Sequence, residues 1–282
     1  MLRFAYNTNG CASHRLDDAL EIISESGYQG VTLTLDPHHF DPFADDATAA
    51  AERLSARLKG LDLALVVETG APYLMDPREA QEPSLLHPTE DGRRRRIDLI
   101  RRAVDIARIC EAEAVTFFAG RRKRNVSQEN AGAWLLDGLT QVAEIGAAAG
   151  VTVALQPVPG HMIGTLDDFK LLREALKQMV EIPPFLSLNV GHCLVTNERD
   201  PASAIKEFAP VLAAVTLVDM ARGVHEHRAL GAGDVDVPAV LAALGEIGFE
   251  KLIAVELPQQ SQRAHEVIPA TMDFLQENLP SD

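Results

Sequence analysis

Three kinds of side chain in the 282-residue sequence have types and spacings that could carry chemistry. Two acids, Glu68 in ALVVETG and Glu256 in KLIAVELP, each end a short apolar, β-branched run, and a carboxyl so placed is a candidate acid or base for proton transfer. Polar groups that could bind a ligand end similar runs: Gln156 after TVAL, Asn189 after FLSL, His192 in NVGH and Asp219 after VTLV. Gln156 and Asn189 suit hydrogen bonding to ligand hydroxyls, whereas His192 fits a buried structural histidine nearly as well as a ligand contact. His225 and His227 stand two residues apart and share a face only in an extended segment, where they could touch a ligand or hold a metal. Arg121 opens the run Arg121-Arg122-Lys123-Arg124, which can receive and steer a phosphate or carboxylate; a surface run paired with acids is its plainer reading. The other basic run, Arg93–Arg96 with Arg101 and Arg102, reads as a solvated helix face.

Positioning these groups requires elements that bring run ends together. Eight candidate strands recur: 3–9, 30–36, 64–70, 114–120, 152–158, 185–190, 213–220 and 251–258. Their nearly continuous apolar character fits strands buried on both faces. Helical patterns alternate with them at 17–26, 48–59, 93–111, 128–149 and 166–179, with Gly27, Gly60 and Gly150 as stops and Thr165 as a cap. Asp200-Pro201 and Asp236-Val-Pro238 open two more, and the last spans about 261–279 with Pro269 inside it. Eight units of about 35 residues each close naturally into a (β/α)8 TIM barrel, expected as a single domain over residues 1–282. A doubly wound sheet is the alternative, but NTNGCASH is no dinucleotide fingerprint, and no organic cofactor is expected. Active sites of such barrels lie at the C-terminal strand ends, where the candidate acids, amides and histidines, Asp219 and Arg121 fall. The connection 71–92, with Pro72, Pro77, Pro83 and Pro88, is long enough to serve as a lid.

Composition narrows the partners. Lys and Arg number 26 against 41 Asp and Glu, a formal charge of −15, which disfavours nucleic acid and anionic membranes. No run reaches the roughly 18 apolar residues of a membrane span, and MLRFAYNTNG lacks a basic-then-apolar leader, so a cytoplasmic protein is expected. Cys11, Cys110 and Cys193 are too widely spaced for a zinc or disulfide motif.

The segments LQPVPG, LSLNVGHC, VTLVDMARGVHEHRALGAGDVD and IAVELP resemble the second half of the xylose-isomerase-like barrels. That sugar phosphate isomerase/epimerase superfamily also contains the family-2 AP endonucleases. The opening NTNG, the ETG of strand three and the GVHEH stretch resemble one bacterial branch of sugar isomerases within it. The resemblance implies one divalent metal (Mn, Mg or Zn) held by Glu, Asp, His and Glu on strands five to eight. It also implies two Glu residues that pass a proton through an enediolate. Those metal positions fall here on Gln156, Asn189, Thr216 and Glu256, so only one anionic ligand is kept and Gln156 cannot act as a base.

The leading expectation is isomerisation or epimerisation of a small sugar or sugar phosphate. Its chemistry is proton transfer next to a carbonyl, with Glu256 as base and Glu68 or Asp36 as second acid. A metal moved to His225 and His227, or a non-catalytic barrel binding a sugar-like ligand, are the competing readings. Phosphoester hydrolysis is disfavoured because it needs a metal cluster rich in His and carboxylates. Homo-oligomers are common among such barrels, and the resemblance carries that expectation here.

Overall fold

The computed structural model describes residues 1–280. Eight parallel strands close on themselves in chain order, β8 pairing back to β1. They are β1 (Arg3–Asn7), β2 (Gly30–Thr34), β3 (Ala64–Glu68), β4 (Ala114–Phe117), β5 (Val153–Leu155), β6 (Phe185–Asn189), β7 (Leu212–Leu217) and β8 (Leu252–Val255). Around them run α1 (Leu16–Glu25), α2 (Ala47–Gly60), α3 (Glu90–Ile109), α4 (Gln128–Ala149), α5 (Leu166–Leu176), α6 (Val190–Thr196), α7 (Pro201–Phe208), α8 (Val237–Glu246) and α9 (Ala264–Glu277). The architecture is the expected (β/α)8 TIM barrel. No helix among the described residues is long and apolar enough to cross a membrane.

Strand alternation sorts the side chains into two cores. Outward-facing Tyr6, Leu33, Val67 and Phe117 are buried beneath helix residues such as Leu20, Ile23 and Ile100. Each such burial is worth roughly 1.5–3 kcal/mol, so this layer dominates stability. The inward set is small and partly polar: Ala5, Val66, Leu252 and Ala254 form its apolar part. Thr32, Thr116, Ser187 and Gln156 line the lumen above them.

The strands stop one to three residues before the apolar runs end. Gln156 and Glu256 follow the last paired residues of β5 and β8, whereas Glu68 and Asn189 are the last residues of their strands. Several helix signals act as expected: Thr165 and Asp168 form a reciprocal capping box, and Asp200 and Asp236 cap α7 and α8. Gly150, at φ +66°, closes α4, but at the end of α2 the left-handed residue is Asp62 (φ 54°) rather than Gly60. The C-terminal segment opens as a 3-10 turn over Pro258–Arg263, and only then continues as α9.

The solvated reading of Arg93–Arg96 needs correction at Arg96, which is only 2% exposed. Its guanidinium donates to the carbonyls of Pro83 (2.8 Å), Gln81 (2.6 Å) and Thr69 (3.4 Å). Its carbonyl partners all lie in the 69–89 connection, and one buried cation on α3 ties the connection to the barrel. Within it Leu85 and Leu86 are wholly buried, whereas Tyr73 is exposed. Gly120, at φ +101°, lets the connection lie flat: a Cβ there would meet the Ser84 Cβ at 2.3 Å.

Candidate active site

Two carboxyls meet at the C-terminal mouth of the barrel. Glu68, ending β3, accepts hydrogen bonds at Oε2 from Asn7 Nδ2 (2.6 Å) and Thr34 Oγ1 (2.7 Å). Glu256 accepts at Oε1 from Asn9 Nδ2 (2.8 Å), and its Oε2 lies 3.6 Å from His227 Nε2. Closure of β8 onto β1 makes this pairing local, although Asn9 and Glu256 are 247 residues apart in sequence.

The two acids differ in protonation because their neighbours differ. Burial, and then the charge on Glu256, push the Glu68 carboxyl up to about 7. Burial also works to raise Glu256, but His227 and the Asn9 amide outweigh it and hold this carboxyl below the usual range. Burial likewise disfavours the His227 cation, yet the adjacent Glu256 carboxylate raises its pKa. The mouth therefore holds a carboxylate beside an imidazole biased towards its cation, next to a carboxyl that can keep its proton near neutrality.

A second pair of imidazoles adjoins the first. His192, in α6, places Nδ1 3.0 Å from the Pro157 carbonyl and Nε2 3.2 Å from His225 Nε2. Burial, reinforced by His225, lowers His192 to about 3 and keeps it neutral. The network then fixes the tautomer: Nδ1–H donates to Pro157, and Nε2 accepts from His225. Asn189 caps α6 by accepting the His192 N–H at 3.3 Å, while its buried Nδ2 has no partner. The lumen amide Gln156 accepts from Ser187 Oγ at 3.4 Å.

Comparison with known proteins gives this geometry a context. A family model described as "Xylose isomerase-like TIM barrel" matches residues 20–278. The chain belongs to the xylose isomerase-like TIM-barrel family. No curated protein matches it in sequence. Among solved structures, a D-tagatose 3-epimerase-like protein superposes with a TM-score of 0.77 at 18% identity, covering 98% of this chain and 99% of the other. The 3-keto-D-glucoside 4-epimerase YcjR from E. coli gives 0.77 at 15% identity, with 98% and 100% covered. The IOLI protein "with a binding zinc atom" gives 0.73 at 15%, with 98% and 96% covered. At these identities the likeness is one of fold.

Does this xylose isomerase-like barrel offer the donors of a metal centre? Gln156 and Asn189 stand where the resemblance places carboxylate ligands, and Thr216 where it places a histidine. The Asn189 oxygen is taken by the α6 N-terminus, which leaves its buried NH2, a donor and not a metal ligand, without a partner. Both oxygens of Glu256 face donors, Asn9 and His227. Among the described residues no group of three or more His, Cys, Asp or Glu is arranged to hold a metal. This donor set does not fit a divalent cation, which needs several anionic oxygens to offset its dehydration.

The remaining sequence candidates fall into two groups. Glu68, Glu256, Gln156, Asn189, His192, His225 and His227 gather around the mouth, and Arg121 lies at its edge beside His161. Asp219 does not join them. It is completely buried, and its oxygens accept from the backbone N–H groups of Gly231, Gly233 and Val235, each at 2.9 Å. Its role as a substrate contact is replaced by one of folding the β7–α8 loop, because those three amides use both of its oxygens. Asp36 is likewise engaged locally, accepting from the backbone N–H groups of His38 and His39. Other groups join the site that the motif reading does not single out: Asn7 and Thr34, which hold Glu68, Asn9, which holds Glu256, and His161, which follows PVPG after β5. The only sequence signal for the last was its place on the mouth side of a strand.

Proposed function

We propose that the protein is a sugar isomerase or epimerase that moves a proton on the carbon next to a carbonyl without a bound metal. The observation that carries this is the pair Glu68 and Glu256, two partly buried carboxyls in one mouth with opposite protonation preferences. Glu256, as carboxylate, takes the proton from the carbon, and the electrons of the broken C–H bond move onto the carbonyl oxygen. The His227 imidazolium and the unpartnered Asn189 amide offset the developing oxyanion. Glu68, as carboxylic acid, returns a proton to the intermediate, and the carbonyl re-forms. Preorganised donors and positioned acid–base groups typically contribute 10²–10⁴-fold each. The epimerase named among the structural neighbours acts on a carbonyl sugar, which supports this class of substrate.

The amides at 156 and 189 favour a second reading, a sugar-binding barrel without turnover. Solvent-deuterium exchange into a panel of ketoses separates the two. Proton transfer predicts deuterium incorporation that is lost in Glu256→Gln; binding without exchange in any member of the panel supports the silent barrel.

A further inference from the structure

The connection over the mouth encloses a cleft that the carboxyl pair does not use. About 330 Å³ in volume, it lies between that connection and the ends of β4 and β5, lined by Glu79, Glu82, Gly120, Arg121, Lys123 and His161. The acids of this cleft are already matched. Lys123 pairs with Glu79 and lies 3.6 Å from Glu82, which also accepts from the Ser84 N–H and hydroxyl. Arg96 gives its donors to backbone carbonyls and packs its guanidinium 5.3 Å from the Phe118 ring centre. Arg121 has no hydrogen-bonding or ion-pair partner among the described residues and is exposed to the cleft. Of the charged side chains lining the cleft, Arg121 and Lys123 formally balance Glu79 and Glu82, and because Lys123 serves both acids, Arg121 is left without a counter-ion among the described residues.

A second, independent feature sits beside Arg121. His161 is 9% exposed and packs edge-on against Phe118 with ring centres 5.1 Å apart, and its buried Nδ1 has no partner. Buried polar atoms are ordinarily satisfied, so a largely buried imidazole that makes no hydrogen bond through either ring nitrogen, on the wall of this cleft, has bonding capacity left for something else. Burial first, and then Arg121, lower His161 to about 4, so the ring enters that bond neutral.

We propose that this cleft is an oxyanion subsite, in which Arg121 and His161 hold a phosphate or carboxylate at the far end of the substrate. The position of the reacting carbon beside Glu68 and Glu256 rests on the proton-transfer reading; capture of the anion does not. Arg121 is near enough for its charge to act on His225, whose Nε2 is 3.2 Å from His192 at the mouth. A planar guanidinium matches two oxygens of either anion, and a neutral imidazole N–H can supply a further donor.

Calorimetry on the full chain with three probes tests this: a ketohexose, its terminal phosphate ester and the corresponding terminal acid. One or both anionic probes are expected to bind at least about tenfold more tightly than the neutral sugar, with a margin that shrinks as salt is added. Which anion binds better tells phosphate from carboxylate. Arg121→Ala should weaken the anionic probes about 10- to 100-fold, the value of a charged hydrogen-bonded contact, and spare the neutral one. His161→Ala should weaken them in the same selective way, and Arg124→Ala, at an exposed position outside the cleft, should change none of the three. Equal affinity for all probes, no binding of either anion, or an anionic advantage that survives Arg121→Ala overturns the subsite. Deuterium exchange on the same proteins keeps the two proposals apart. Anion-selective binding without exchange removes the proton-transfer reading alone, and exchange on neutral ketoses with no anion preference removes the subsite alone.

Discussion

Glu68 and Glu256 share one buried mouth, and the charge that settles on one raises the cost of a charge on the other. His227 and Asn9 tip the balance towards an ionised Glu256, leaving Glu68 to hold a proton up to about pH 7. If Glu68 is the acid, turnover falls as pH rises through about 7, and kcat in Glu68→Gln drops about 10²–10⁴-fold with that alkaline limb gone. A pH–rate profile of both proteins checks this. The same shift acts on stability. Folded Glu68 titrates near 7 against an ordinary 4.5, so between those values the folded chain binds the extra proton, and stability declines as pH rises. Melting curves should therefore show Glu68→Gln gaining on the wild type between pH 5 and pH 8. The individual acids were legible in the sequence, because each ends an apolar run. Their pairing with Asn9 and His227 was not, since it depends on closure of β8 onto β1 and on the course of an irregular loop.

Two buried charges organise whole elements. Arg96 holds the β3–α3 connection through three carbonyls, which an uncharged side chain of similar length cannot do. Arg96→Met should cost about 3 kcal/mol in urea unfolding and expose the 71–81 segment to proteases, because buried acceptors lose their donor. Intact proteolytic resistance would show that the buried leucines beneath it suffice. Asp219 does the corresponding work for the β7–α8 loop. In Asp219→Asn an amide NH2 faces N–H groups that need an acceptor, so a loss of about 3 kcal/mol is expected. Displacement of His225 and His227 should accompany it, visible as changed histidine resonances in NMR spectra. The alternation of strands and helices was readable because apolar periodicity and capping residues are local signals. The roles of Arg96 and Asp219 were hidden: a run of arginines looks solvated, and an acid at a strand end looks catalytic, until long-range partners are known.

For the molecule as a whole, the fold follows from two nested layers, an apolar sleeve between strands and helices and a smaller, partly polar lumen. The formal charge of −15 belongs largely to the outer surface. At the mouth, the Glu256 charge is met by His227 and Asn9 while Glu68 can keep its proton, so global acidity is a poor guide to the site. The family fold is retained, while of the four positions where the resemblance places metal ligands three carry two amides and a hydroxyl and only Glu256 is an acid. Solvent-deuterium exchange into carbonyl sugars by chelator-treated protein tests this account most directly. Exchange that persists after metal removal and disappears in Glu256→Gln is the predicted result. Exchange that requires an added divalent metal, or that survives Glu256→Gln, would contradict it.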